Sequence, residues 1–132
     1  MDELWRKARG SADSARLLFE EGHPEDACNR AYYAMFNAAR ALLANRGVGP
    51  ADVRTHASVW RLFSLHYIKD GPLNAELGRA LAQAGRARNQ ADYSPLLVEA
   101  ETVQDVMRSL DQFMQMAETM LAESSNGERS HP

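Results

Sequence analysis

Residues 27–43 constrain the fold most strongly, because they predict a helix that is apolar on nearly every face. One stripe of small residues recurs every three or four positions: Ala27, Ala31, Ala34, Ala38 and Ala41. A second apolar stripe runs beside it: Cys28, Tyr32, Met35, Ala39 and Leu42. A helix that is apolar over most of its circumference packs against neighbours on several sides. We therefore expect this helix to lie at the centre of a helical bundle.

Glycine and proline divide the rest of the chain into further helices, and no stretch alternates as a strand would. The predicted helices span residues 3–21, 24–46, 56–69, 74–92 and 99–122. Asp2 and Thr55 are the expected N-caps, whereas Gly22 and Gly47 are the expected stops. Four long helices with short connections predict an all-α fold, an antiparallel four-helix bundle with one additional short helix.

The chain of 132 residues has no internal repeat and fits one domain. We assign residues 1–122 to the bundle. Residues 123–132 are polar and lack periodicity, so we expect a disordered C-terminal tail. Apolar residues of the fifth helix alternate spacings of three and four: Val103, Val106, Leu110, Phe113, Ala117 and Met120. This spacing is typical of a seam, either inside the bundle or between two copies of it.

Several features favour a cytoplasmic protein. The acidic start of the chain lacks the basic and apolar segments of a signal peptide. No apolar run approaches the ~20 residues of a membrane span. The lone Cys28 lies in a helical apolar pattern, which favours a small core residue over a reactive thiol.

Charge is unevenly distributed, although the net charge is only −3. Residues 27–61 contain five arginines and one acid, whereas residues 98–128 contain seven acids and one arginine. Two interpretations remain open. The segments form ordinary solvated helix surfaces, or they form a basic face and an acidic face that select a partner.

Arg88 is the most conspicuous polar residue of the fourth helix. The apolar residues of that helix step by four and three: Leu77, Leu81 and Ala84. The same stepping reaches Arg88, which therefore lies along or beside the inward stripe. An unpaired buried charge is very costly, so the arginine needs a partner or an edge position. Asp92 lies one turn later and Tyr93 follows it, so a local ion pair with an aromatic plug is one interpretation.

The remaining polar residues give weaker indications of a functional site. Arg30 and Asn37 lie on one face of the second helix, where they could form a buried polar line, and a structural hydrogen-bond network is the simplest interpretation. The four histidines lack metal-ligand spacing, and the chain has no CxxC or HExxH motif. We therefore expect neither a metal nor another cofactor.

Three segments resemble the HEPN family, in particular its short, stand-alone bacterial and archaeal members. They are the run Arg-Ala-Tyr-Tyr-Ala-Met-Phe at residues 30–36, the Thr55-His56 helix start with Phe63, and residues 88–93. The resemblance covers about residues 4–121. It implies an all-helical bundle that forms a homodimer through helices two and four or five. It also points to toxin–antitoxin and RNA biology.

The chain matches only half of the motif that HEPN ribonucleases use for catalysis. HEPN ribonucleases carry an arginine, then a polar residue, and a histidine four to six positions after the arginine. Arg88 and Asn89 match the first half, but the histidine window holds Asp92, Tyr93 and Ser94. An ionised aspartate repels phosphate, and a tyrosine with a pKa near 10 is a poor base. We therefore expect little ribonuclease activity, with Arg88 and Tyr93 as the catalytic candidates if any remains.

Three functions follow from these observations. The leading hypothesis is a regulatory or toxin-like HEPN component of a two-gene module whose partner is a minimal nucleotidyltransferase. The alternatives are a divergent metal-independent ribonuclease with a composite dimer site, and a non-catalytic nucleotide- or RNA-binding module. The candidate nucleotide- or RNA-binding residues are Arg30, Tyr33, Asn37, Arg88, Asn89 and Asp92. The resemblance also implies that a partner nucleotidyltransferase attaches AMP to Tyr93.

Overall fold

The fold is all-α, as predicted. The computed structural model describes residues 2–49, 55–69, 79, 82–86, 88 and 99–129. The helices, in chain order, are α1 (Asp2–Glu20), α2 (Pro24–Asn45), α3 (His56–Phe63), the helical residues 79, 82–86 and 88 (here α4), and α5 (Ala100–Arg129). A π-helical turn, Ser64–Lys69, follows α3 directly. No strand occurs in this part of the chain.

Helix α2 is the central element of the bundle, which confirms the expectation from its composition. It packs against α1, α3 and α5. Both apolar stripes predicted for it are fully or almost fully buried. Cys28 is part of this core, and burial, with a smaller contribution from Glu25, raises the pKa of its thiol to about 11. The thiol is therefore protonated at neutral pH and serves as a small core residue.

The ends of α1 and α2 follow the expected glycine chemistry. Gly22 has a φ of 85° and Gly47 a φ of 84°, both in the left-handed region that ends a helix. After Gly22, the backbone N–H of His23 donates to the carbonyl of Leu18 at 2.8 Å. Asp2 differs from its prediction as an N-cap, because it is already the first helical residue of α1. Assignments of helix ends commonly vary by one residue in this way.

The short third helix begins as predicted but changes its winding halfway. The Thr55 hydroxyl accepts a hydrogen bond from the backbone N–H of Ser58 at 3.0 Å, so Thr55 caps α3. From residue 64 the chain continues as a π-helical turn. Tyr67 in this turn is buried and donates its hydroxyl to the carbonyl of Leu42 at 2.6 Å. Because the last four carbonyls of a helix lack partners within it, this bond satisfies the end of α2.

The apolar seam of α5 lies inside the bundle. Its residues 103, 106, 110, 113 and 117 are buried, and Met120 packs at the edge. Met107 and Met114 are buried as well. Since α5 packs on α2 within one chain, the seam is occupied by intramolecular contacts. Of the two predicted uses of this spacing, the bundle core is the one observed.

Helix α5 continues to Arg129 and therefore differs from the disordered tail predicted for residues 123–132. Once a helix is nucleated, each added residue gains a hydrogen bond, so a polar extension without proline continues it. None of the described helices is long and apolar enough to cross a membrane.

Candidate functional site

Aromatic side chains from α2 and α3 meet an arginine of α4 at one edge of the bundle. We call this group the aromatic–arginine cluster, and its members are Tyr32, Tyr33, Phe36, His56, Trp60 and Arg88. Residues 32 and 36, like residues 56 and 60, are four positions apart and so share a helix face. The cluster therefore arises where a face of α2 meets a face of α3, with Arg88 of α4 in contact with α2.

Tyr32 is the centre of the polar contacts in the cluster. Its hydroxyl lies 2.8 Å from Nδ1 of His56 and accepts a hydrogen bond from Nε1 of Trp60 at 3.1 Å. Burial, the largest of several influences, raises the pKa of Tyr32, so the hydroxyl keeps its proton. Because the indole N–H can only donate, we assign the Tyr32 proton to the bond with His56. The neutral imidazole then carries its own proton on Nε2.

Arg88 is half-buried and held by the two tyrosines of α2. Its NH2 group donates to the hydroxyl of Tyr33 at 3.1 Å. Its guanidinium carbon lies 5.5 Å from the ring centre of Tyr32 and 5.4 Å from that of Tyr33, within cation–π range. The prediction that Arg88 lies beside the inward stripe is confirmed. The contact that positions it comes from α2, whereas the proposed local partner Asp92 lies outside the described residues.

His56 is packed on one face and open on another. Its ring stacks on Phe36 with 4.2 Å between ring centres, although the residue as a whole is exposed. Phe36 also contacts Arg40, whose guanidinium carbon lies 5.8 Å from the Phe36 ring centre. Partial burial, followed by the charges of Arg88 and Arg40, lowers the pKa of His56. The imidazole is therefore neutral at pH 7.

Stability should decrease on mild acidification because of His56. In the unfolded chain its pKa is about 6.5, and the folded value is lower. The unfolded state then binds more protons between the two values, so stability is full above about pH 6.5 and falls as the pH drops towards the folded pKa. Urea unfolding at several pH values checks this, with His56→Gln expected to flatten the dependence. An equally steep dependence in His56→Gln would contradict the assignment.

The arrangement is suited to binding an anion against aromatic surfaces. Guanidinium groups donate strong, charge-assisted hydrogen bonds to phosphate oxygens. Nucleobases stack on the faces of aromatic rings, and two rings of the cluster, Tyr33 and Trp60, are only half-buried. Among the residues that the structure describes, no group of three or more histidine, cysteine, aspartate or glutamate side chains could hold a metal ion. The cluster itself offers the guanidinium of Arg88, four aromatic rings and the imidazole of His56.

Comparison with known proteins gives the family. The model of the HEPN domain matches residues 1–120. The chain belongs to the HEPN family. A UPF0332 protein of Thermotoga maritima is 33% identical over 121 residues, which cover 90% of this chain and 89% of the relative. From Methanocaldococcus jannaschii, the protein named "Putative toxin MJ0605" is 34% identical over 99 residues, 73% of this chain and 72% of the relative. A second protein of that organism, named "Putative toxin MJ0142", is 30% identical over 93 residues, which cover 70% of this chain and 61% of the relative.

Only some of the candidate site residues predicted for this HEPN domain meet in space. Tyr33 and Arg88 are in direct contact, and the guanidinium carbon of Arg30 lies 5.8 Å from the Tyr33 ring centre. The predicted buried line of Arg30 and Asn37 is wrong, because Arg30 is exposed and Asn37 only half-buried. The edge position of this face leaves the arginine in water, which avoids the cost of burying its charge.

Three further candidates fall outside the described residues: Asn89, Asp92 and Tyr93. Their assignments as nucleotide-binding or modified residues stay predictions.

Three residues of the cluster region were not predicted as site residues: Arg40, His56 and Trp60. His56 packs its ring on Phe36 with 4.2 Å between the ring centres. The overlooked signal was the four-residue spacing of His56 and Trp60 directly after the Thr55 cap. That spacing places an imidazole and an indole on one helix face, but only the packing of α3 on α2 brings that face to Tyr32.

Proposed function

We propose that this HEPN protein is the toxin-like component of a two-gene module whose other product is a minimal nucleotidyltransferase. In this proposal the aromatic–arginine cluster is the surface that meets RNA. The names of two relatives from Methanocaldococcus jannaschii support the toxin-like role. The observation that carries the proposal is the position of Arg88, which contacts Tyr33 and Tyr32, the two rings that also lie against His56.

The local charge around the cluster supports an anionic partner despite the negative net charge. Both charged groups that lower the pKa of His56 are arginines, Arg88 and Arg40. Arg30 lies over the outer ring, Tyr33. A concentration of positive charge attracts phosphates at short range even when the whole protein is acidic. Rings beside these cations add stacking surface for unpaired bases.

The proposed module predicts a testable partnership. Co-expression with the nucleotidyltransferase encoded next to this gene should relieve growth arrest and yield a complex on purification. The intact mass should rise by one AMP, and Tyr93→Phe should remove this increase, whereas Tyr33→Phe should not. Copurification without any mass change would remove the modification. Absence of both a complex and relief of growth arrest would contradict the module.

A second candidate function is a divergent ribonuclease, and His56 is the observation that favours it. A neutral imidazole beside an arginine is able to move a proton while the arginine stabilises charge on phosphate. The bond between Nδ1 and Tyr32 leaves Nε2 as the available nitrogen. Cleavage of RNA to a 2′,3′-cyclic phosphate that is lost in His56→Gln would establish this function. We place it second because a single imidazole is the only acid–base group of neutral-range pKa among the described cluster residues.

We also propose a homodimer. Two copies facing each other would bring two Arg88 sites together, as the family resemblance implies, and closed twofold symmetry is the commonest arrangement for such pairs. Multi-angle light scattering of the purified protein at micromolar concentration should give twice the mass of one chain. A monomer at every concentration tested, with no partner present, would contradict the dimer.

A further inference from the structure

We propose that the Nε2 edge of His56, an exposed residue, binds a phosphate group together with the guanidinium groups of Arg88 and Arg40, and that His56 gains a proton when phosphate is bound. This inference rests on the proposed RNA-facing role and deepens it, since it names the group recognised and the residues that recognise it. Neither Arg40 nor His56 was among the site residues predicted from the sequence.

The orientation of His56 is the first support. Its Nδ1 edge is tied to the Tyr32 hydroxyl at 2.8 Å, and Trp60 fixes that hydroxyl from another side at 3.1 Å. The ring face is stacked on Phe36 at 4.2 Å. These contacts leave the Nε2 edge as the part of the ring available to a ligand. In the tautomer assigned above, Nε2 carries a proton and donates to a phosphate oxygen. The additional proton, taken from solvent, binds Nδ1, which then donates to the Tyr32 hydroxyl oxygen after that hydroxyl has rotated its own proton away.

The surrounding charges are the second support. Among the described residues, the titratable and charged groups that face His56 are Tyr32, Tyr33 and Arg40 from α2 and Arg88 from α4. Both tyrosines are neutral when protonated, so the two arginines set the local field. Without an anion, a proton on His56 is disfavoured by these arginines. A phosphate between them reverses that balance, because a nearby negative charge favours the imidazolium.

The proposal is tested by following the histidine ring protons by NMR as the pH is varied. With inorganic phosphate added, the titration midpoint of His56 should rise, and the midpoints of His23 and His66 should not. Sodium chloride at equal ionic strength controls for simple screening. A His56 midpoint that moves no more than those of His23 and His66 would overturn the proposal.

Variants identify the binding groups. Arg40→Gln should weaken binding of phosphate by about tenfold, as expected for loss of one charge-assisted hydrogen bond. Arg9→Gln, which replaces an exposed arginine stacked on Trp5 of α1, serves as the matched control. Equal affinities of the two variants would contradict the assignment of Arg40. Because Arg40 is only half-buried, its variant should fold normally, and a thermal melt confirms that.

Two ligand sources share this chemistry, and the experiment separates them. Adenosine 5′-monophosphate presents one terminal phosphate, whereas a short single-stranded oligoribonucleotide presents diesters and several bases. Stronger response to the oligoribonucleotide assigns the site to RNA, and stronger response to the monophosphate assigns it to a nucleotide. If phosphate leaves His56 unchanged while the co-expressed nucleotidyltransferase still forms a complex, this inference fails and the proposed module remains.

Discussion

Replacing Arg88 with alanine is expected to reduce RNA binding by about 10–100-fold, because each hydrogen bond to a charged group contributes about 1.5–3 kcal/mol. The same substitution should abolish growth arrest when the protein is overproduced. The tyrosines of α2 hold this arginine in place. Its guanidinium donates to the Tyr33 hydroxyl at 3.1 Å, and its guanidinium carbon lies 5.5 Å from the ring centre of Tyr32. Fluorescence anisotropy with a labelled oligoribonucleotide measures the binding, and growth curves measure the arrest.

Arg86→Ala is the matched control for this experiment. Arg86 lies on the same helix, two residues earlier, and is exposed. Its loss removes the same charge but none of the contacts of the cluster, so binding should change little. Melting temperatures of both variants separate a binding defect from unfolding. Equal effects of the two substitutions would show that general charge, rather than the cluster, attracts RNA.

Replacing Phe63 with alanine is expected to lower the free energy of unfolding by about 3–5 kcal/mol, the usual cost of truncating a buried aromatic residue. Phe63 is fully buried and connects the cluster to the core. Its ring centre lies 6.4 Å from that of Trp60, 5.1 Å from that of Tyr67 and 5.6 Å from that of Phe113. The cavity would also remove the support beneath Trp60. Urea denaturation measures the change in stability.

Phe19→Ala is the comparison for this substitution, because the Phe19 side chain is 38% exposed at the end of α1. It should cost about 1 kcal/mol or less, as is usual for surface positions. The two variants remove the same atoms and differ in burial. If Phe63→Ala were no more destabilising than Phe19→Ala, the packing of α3 against the core would be incorrectly described.

Local pattern was sufficient for much of the fold. The periodicity of α2 and α5 predicted the buried faces of these two helices. Gly22 and Gly47 predicted where α1 and α2 end. Both kinds of signal act within a few residues of the chain. The change to a π-helical turn at Ser64–Lys69 was not predicted. Its stabilising contact joins Tyr67 to the carbonyl of Leu42, and a contact between separate helices leaves no periodic signal in either.

The sequence by itself determined that the chain is an all-helical bundle around α2, and that Arg88 faces inward. Helical periodicity and the cost of burying charge are properties of single segments, so they can be interpreted without a partner surface. Only the tertiary structure decided what Arg88 meets. Tyr33, Tyr32 and His56 come to it from two other helices. No histidine lies within a few residues of Arg88 in the sequence. Packing brings one from the start of α3 instead, because proximity in a bundle depends on how helix faces pack together.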